Sequence, residues 1–500
     1  MRASKREWLS AAFCMAAALI GLLLCSMNSP LYPLNPWNDV NCYVTVASEM
    51  LRGGLPYRDL IEHKGPLMYA LHALALWISP GNYHGIWVIE VVLLTGVLIC
   101  FYKIARLYAP KISVGWVAVA AGVICMSRSF RYGDSAEELC LLPMAWSLYM
   151  LLKSWRTGVP LSNRQYLFNG VLAGCILWIK FNLLGFHLVW MGFQAIDALI
   201  QDRNLKRPVR MCLWFLGGMA LTAVPWLIQY GAAGALDDLI RVYFRMNLFS
   251  YGPRRYNMFI YTLLGLKRGM EDWRLAVPLV IVCAGIVAAP KRWISVRERL
   301  FVACAALVMA VSIYGMGMRF RYYYLPFALL LPFGALAVRR LEMLMERVFA
   351  GRRVGRAANV AVCATLFVVS MAVTWRFSLN ARWIGYPYED TAQGQAVALL
   401  EDEEEVTLLN AGALDGGFYF ALDARPPIPN FAMLNIDREN CLYAQLACMD
   451  EGKVEYVLTT NADLAELGLD ENYSLFAELP SDYGGEYKLF RLYRRTDDCL

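Results

Sequence analysis

Between residues 37 and 66 the chain reads Trp37-Asn38-Asp39, an amphipathic run to Arg52, then Gly53-Gly54-Leu55-Pro56-Tyr57-Arg58-Asp59-Leu60-Ile61-Glu62-His63-Lys64-Gly65-Pro66. Acids and bases crowd there into a short loop between very apolar segments. A membrane protein usually places such a loop where chemistry or an ion pathway needs it. A carboxylate at the water–membrane boundary can take a proton from an attacking hydroxyl or amine. Arg58 and Lys64 can hold an anion, the arginine as a bidentate fork and the lysine as a point charge. Plainer readings stand beside these: Asp39 as the N-cap of a helix over 40–51, Asp59 as a turn residue or the partner of Arg58.

The rest of the sequence reads as a scaffold for that loop. Of the 500 residues, 58% are hydrophobic and 18% are charged, against about a quarter charged in ordinary soluble domains. That balance implies an integral membrane protein. Apolar runs recur near 8–27, 83–102, 112–128, 138–152, 166–179, 181–199, 211–230, 275–289, 299–314, 322–338 and 357–375. They predict an α-helical polytopic membrane protein of about 11 transmembrane helices, several shorter than the ~20 residues that cross a bilayer. The first run follows Arg2, Lys5 and Arg6 like a secretory signal, but no small-x-small cleavage site follows it. It is read as a retained first helix with its N-terminus inside.

The positive-inside rule tests the scheme. Basic clusters fall in alternate loops: Lys103, Arg106 and Lys111; Lys153, Arg156 and Arg164; Arg203, Lys206, Arg207 and Arg210; Lys291, Arg292, Arg297 and Arg299; Arg339, Arg340, Arg352, Arg353 and Arg356. Loops 28–82, 129–137 and 231–274 and the C-terminal region are then outside. Those outer loops still carry Arg52, Arg58, Lys64, Arg128, Arg131, Arg241, Arg245, Arg254, Arg255, Lys267 and Arg268. Cations that break a bias kept elsewhere suit the holding of an anion; the alternative is the solvated face of an interfacial helix. Gly53-Gly54 and Pro56 end the 40–51 helix. Gly65-Pro66 opens an apolar run to Ile78, too short to span and read as a helix in the outer interface.

After Trp375 the composition turns soluble. Strand-like runs at 406–410, 418–422, 454–459 and 487–493, with helical stretches between, predict a small C-terminal extracytoplasmic α/β domain over 376–500. The acidic run 401–405 reads as a solvated face. Most of the 14 cysteines sit in apolar runs as small core residues. Cys441 and Cys448 are candidates for a disulfide if that domain faces an oxidising compartment.

The first span, Trp37-Asn38-Asp39 with Tyr43 one turn on, and the run Gly53-Gly54-x-Pro-Tyr-Arg-Asp-x-x-Glu-His-Lys-Gly-Pro-Leu67 together resemble bacterial family C (GT-C type) membrane glycosyltransferases. Within that superfamily the likeness is to protein O-mannosyltransferases and lipid A aminoarabinose transferases. It covers about residues 1–375 as the transmembrane transferase domain, with 28–82 as its catalytic outer loop. A second motif, Gly133-Asp134-Ser135-Ala136-Glu137-Glu138, falls in the next outer loop. The resemblance implies inverting transfer of a sugar from a polyprenyl-phosphate donor to a cell-envelope glycan, lipid or protein at the outer face of a bacterial inner membrane. It makes Asp39 the first choice for the base and Asp134 a second candidate. Arg58 and Lys64, with Arg319 and Arg321 of the tyrosine-rich stretch 317–324, become the cations for the leaving phosphate. The alternative for the latter pair is an interfacial anchor belt. Tyr57, Asp59, Glu62 and Glu137 are supporting candidates, with Glu62 orienting Lys64.

His63 and His72 with Glu62 match no established metal spacing. No cofactor is assigned and a divalent metal is left open. The expected partners are the lipid-linked donor, the acceptor and the lipid bilayer, with no nucleic acid. The rival reading is a glycolipid flippase or secondary transporter. Such folds carry midplane charges and inverted repeats, whereas these charges concentrate in loops and no repeat is visible.

Overall fold

A computed structural model describes residues 5–109, 113–250, 257–348, 356–467 and 472–496. Arg2, Lys111, Arg254, Arg255, Arg352 and Arg353 lie outside the described residues. Among the described residues the chain is predominantly helical, with one small sheet near its C-terminus. It opens with α1 (Lys5–Cys25), α2 (Asn38–Leu51), α3 (Pro66–Ile78), α4 (His84–Tyr108) and α5 (Ser113–Met126). There follow a short turn α6 (Ala136–Leu139), then α7 (Leu141–Thr157), α8 (Asn163–Lys180), α9 (Gly185–Asp202) and α10 (Lys206–Ala232). Helices Trp273–Ala288, Val296–Tyr314, Ala335–Val348 and Arg356–Phe377 come later. Every predicted span falls on a helix.

Among the described residues, six stretches are long and apolar enough to cross a membrane: Glu7–Cys25, His84–Tyr108, Asn163–Asp202, Lys206–Ala232, Arg321–Arg340 and Val360–Phe377. The protein is a multi-pass membrane protein. α3, at 13 residues, is too short to span. Local sequence explains the helix starts. Ser162 with Gln165, and Ser295 with Glu298, form reciprocal capping boxes on α8 and Val296–Tyr314. The stretch Arg321–Gly334 winds as a 3₁₀ helix, and it contains Pro326 and Pro332. Neither proline has an N–H to give to an α-helical ladder.

The chain forms two compact units. The first comprises Met1–Ser26, Val88–Pro225 and Pro253–Arg382, the helical bundle. Its helices approach closely where side chains are small. A Cβ added to Gly170 on α8 would lie 1.9 Å from the Phe215 carbonyl oxygen, and one added to Gly218 on α10 would lie 2.0 Å from that of Leu167. Such glycine-to-backbone packing is how membrane helices associate without a hydrophobic driving force.

The second unit comprises Met27–Trp87, Trp226–Gly252 and Trp383–Leu500. It groups the first loop with the soluble tail rather than leaving the tail by itself. The tail's sheet has strand order β1-β2-β4-β3, with β1 (Leu408–Asn410), β2 (Tyr456–Thr460), β3 (Tyr473–Ser481) and β4 (Lys488–Arg495). β1 and β2 are parallel; the other pairs are antiparallel, with an irregularity between Leu475 and Ala477. Leu409, Val457, Tyr473 and Tyr493 pack with Cys448 and Met449 of the helix Arg438–Asp450 in a shared core.

Two details of the predicted tail are corrected. The run 418–422 is not a strand but a helical turn, Phe418–Ala421, launched by Gly417 at φ +91°. A short apolar run has no period to separate the two conformations. The nine-residue edge strand β3 was not predicted. It buries little beyond Tyr473 and Leu479 and contains Pro480, which an edge strand tolerates. Cys441 and Cys448 are both buried and unbonded.

The tail clasps the loop at several points. Thr45 on α2 donates to the buried Asp415 carboxylate at 2.6 Å. The Ile61 N–H donates to the Pro429 carbonyl at 2.9 Å, and the Tyr483 hydroxyl to the Leu34 carbonyl at 2.9 Å. Arg425 pairs with Glu49, and Arg52 with Asp423.

Candidate functional site

In the second unit, α2 begins at Asn38 with Trp37 as its N-cap, which makes no side-chain capping bond. Asp39 is therefore not the N-cap that its spacing predicts. It stands in the first turn, half-buried, where the exposed N–H groups of the helix start favour a negative charge. Tyr43, one turn further, is buried.

After α2 the chain turns through Gly53 at φ +95° and Tyr57 at φ +73°. A left-handed tyrosine is strained and persists only where its surroundings fix it. Here its N–H donates to the Leu60 carbonyl at 2.7 Å and its hydroxyl to the Lys64 carbonyl at 2.5 Å. Its ring stacks against Tyr230 and Tyr243, with centroids 5.8 and 6.4 Å away. Tyr57 thus fixes the backbone that presents Glu62, His63 and Lys64.

Those three side chains form a buried charged knot. Glu62 Oε2 accepts the Lys64 N–H at 2.8 Å and the Tyr69 hydroxyl. Glu62 Oε1 lies 3.0 Å from His63 Nδ1 and 3.7 Å from Lys64 Nζ. Lys64 Nζ lies 3.2 Å from His63 Nε2 and 5.4 Å from the Tyr43 ring centroid. Burial pushes the Glu62 carboxyl up, but the charges of Lys64 and His63 and the bonds from His63 and Tyr69 outweigh it and hold the group well below the usual range. Burial, then the Lys64 charge, push the His63 imidazole below its ordinary value against the pull of Glu62.

Arg58 and Asp59 stand apart from the knot. Arg58 Nε and Nη2 donate to the two oxygens of Asp59, each at 2.8 Å, on an exposed part of the loop. Asp59 Oδ2 also accepts the Leu55 N–H at 2.6 Å. His72 is buried with Nδ1 2.8 Å from the Met68 carbonyl. Among the described residues, no group of three or more His, Cys, Asp or Glu side chains is placed to hold a metal ion.

The first unit carries a second cluster. Gly133 and Asp134 are both left-handed, at φ +93° and +65°. A Cβ on Gly133 would sit 2.5 Å from Glu90 Oε1. The Asp134 N–H is shared between Glu90 Oε1 and Glu138 Oε2, each at 2.9 Å, and Ser26 donates to Glu90 Oε2 at 2.7 Å. Burial, then the charges of Glu90 and Asp134, push the Glu138 carboxyl well above its ordinary value. Glu137, fully buried, takes the Lys180 ammonium at 2.6 Å. That ammonium lies 4.0 Å from the Tyr323 ring centroid and 5.6 Å from that of Tyr322. Arg319 is exposed, 5.8 Å from the Tyr261 ring; Arg321 Nη2 lies 3.5 Å from Glu271 Oε2.

Reading by loops missed Glu90 and Lys180. Each was visible as a lone charge in an otherwise uncharged run: Glu90 within 84–102 and Lys180 between Arg164 and Asp197. A lone ionisable residue at membrane depth is a site candidate by default.

No family profile matches the chain, and no curated protein matches it in sequence. Solved structures do. The crystal structure of ArnT from Cupriavidus metallidurans in the apo state is 12% identical, with a TM-score of 0.64 over 97% of both chains. The fold is that of ArnT. A second ArnT crystal structure, bound to undecaprenyl phosphate, is 13% identical, with a TM-score of 0.59 over 98% of both chains. The ArnT likeness runs through bundle, loop and tail alike, well beyond the stretch 1–375 over which the sequence motifs point to a family C transferase.

Proposed function

We propose that this protein transfers a sugar from a polyprenyl-phosphate donor to a cell-envelope acceptor. The observation that carries the reading is the buried Lys64 ammonium beside Tyr43, one helical turn from Asp39. A cation and a carboxylate are the two groups that this transfer needs from the protein. The fold supports the donor class, since an ArnT structure holds undecaprenyl phosphate.

In this reading the Asp39 carboxylate takes the proton of the acceptor hydroxyl or amine as that atom attacks the anomeric carbon. The bond from that carbon to the phosphate oxygen breaks, and the polyprenyl phosphate leaves with both electrons. One displacement inverts the anomeric centre. A phosphate leaving group needs no general acid, only a fixed positive charge where its own charge grows. Lys64 supplies it, held in place by Glu62 and His63. Arg319 and Arg321 are further cations proposed for the same anion. Arg58 would first have to give up its fork on Asp59. Asp134 is the second carboxylate proposed for the acceptor. Its backbone is fixed by Glu90 and Glu138.

The basic clusters between spans support a cytoplasmic N-terminus and an extracytoplasmic tail. The catalytic loop then faces outward with the soluble domain. A single-turnover reaction with a labelled lipid-linked sugar tests the assignment. Transfer by the wild type and none by folded Asp39→Asn is the expected result; full activity in Asp39→Asn contradicts it.

A further inference from the structure

We propose that His63 is a positioning residue: it fixes the Lys64 ammonium and makes affinity for the donor phosphate depend on pH. This rests on the reading of Lys64 as the phosphate cation.

The geometry assigns the tautomer. An ammonium has donors only, so His63 Nε2, 3.2 Å from Lys64 Nζ, must accept. The ring proton then sits on Nδ1, 3.0 Å from Glu62 Oε1. The backbone is pinned as well, since Asn247 Nδ2 donates to the His63 carbonyl at 2.7 Å and to the Tyr243 carbonyl at 2.8 Å. The side chain is only 12% exposed, so water offers Lys64 little replacement for the imidazole. Glu62 therefore sits against both groups, and the imidazole accepts from the cation and orients it.

That arrangement works only while the ring is neutral. A proton on Nε2 removes the acceptor and sets a second positive charge against the ammonium. Among the described residues, the titratable groups placed around it include Glu62 and Lys64 on the same loop, Tyr57 before them, Asp39 and Tyr43 on α2, and Tyr69 on α3, with His72 of α3 against the Tyr43 ring. Burial raises the Tyr57 and Tyr69 hydroxyls well above their ordinary values, so neither titrates near neutrality. Glu62 stays ionised, and the Asp39 charge favours the imidazolium. Burial and Lys64 oppose that proton. Acidification overcomes them and displaces Lys64.

The test measures binding of undecaprenyl methyl phosphate to the purified full-length protein in detergent from pH 7.5 to 5. This probe is a phosphodiester, so its single charge does not change over the range. Wild-type affinity is expected to fall on acidification, approaching about tenfold per pH unit below the His63 midpoint. In His63→Gln, whose amide oxygen reaches where Nε2 stands, and in His63→Asn, the slope should vanish. Lys64→Met should bind weakly at every pH. A slope retained in both His63 variants, or a flat wild-type profile, overturns the proposal while leaving Lys64 as the phosphate cation. Wild-type affinity in Lys64→Met would overturn the Lys64 reading itself, and the proposal with it.

Discussion

The Lys64 ammonium stands 5.4 Å from the centre of the Tyr43 ring, and Tyr43 lies one turn along α2 from Asp39. A helix start and a loop more than twenty residues later are thereby brought into one neighbourhood. The same tyrosine face limits where the ammonium can rest, because a cation is attracted to the ring's electron-rich face. The account of donor binding depends on this arrangement, and its parts can be disturbed separately.

Glu62→Gln removes the carboxylate that compensates a buried lysine. Loss of one partner of a buried pair costs about 3–5 kcal/mol, so the detergent-solubilised variant should melt well below wild type. The pH dependence has a definite sign. The Glu62 carboxyl is held well below its ordinary value of 4.5. Its contribution is thus full above that ordinary value and is lost as pH falls toward the lower folded value. Melting curves from pH 7 downward should show an acid-sensitive component in the wild type that Glu62→Gln lacks.

Asp415 gives the opposite sign. Burial pushes its carboxyl from 3.8 up to about 6, despite the bonds from Thr45 and the Gly417 N–H. The folded state prefers the protonated form. This group therefore costs stability above pH 6, about 3 kcal/mol, and the cost is relieved as pH falls from about 6 to about 4. Asp415→Asn should remove that slope from the melting profile while keeping an acceptor for Thr45. An unchanged slope would show that the carboxyl is not buried against α2.

How much of this was legible depended on distance along the chain. Each span is written in its own residues, and Ser162 and Ser295 announce helix starts through a glutamine or glutamate three residues on. The loop that carries Asp39, Glu62 and Lys64 was legible for the same reason, since its charges sit between apolar runs. The Thr45–Asp415 bond joins residues 370 apart, and no local pattern encodes it. The left-handed Tyr57 was equally hidden, because Tyr230 and Tyr243, on which its ring stacks, lie in another segment. Asp39 was misplaced by two positions, because a carboxylate suits both the N-cap and the first turn.

Glu138→Gln should be nearly neutral. The Glu138 carboxyl is pushed well above its ordinary value, first by burial and then by Glu90 and Asp134. A glutamine copies the protonated acid and still accepts the Asp134 N–H. The stability change read from thermal melts should stay within the scatter of surface variants, about 0.5 kcal/mol. A large loss would mean that the charged carboxylate is required.

Glu137→Gln should behave differently, because it strands Lys180 beside Tyr323. A loss of about 3–5 kcal/mol is expected. Lys180→Met on top of it should recover most of that loss, since replacing both partners of a buried pair removes the uncompensated charge. Thermal melts of the two single variants and the double variant complete the cycle. Additive losses would show that the pair is not coupled.

The most direct test of the central claim is mass spectrometry of cell-envelope glycans from three strains: one with the wild-type protein, one with Asp39→Ala and one with no copy. The account predicts a sugar mass present with the wild type and missing from both other strains, with Asp39→Ala protein still folded in the membrane. A sugar that persists with Asp39→Ala and disappears only without the protein would contradict Asp39 as the base.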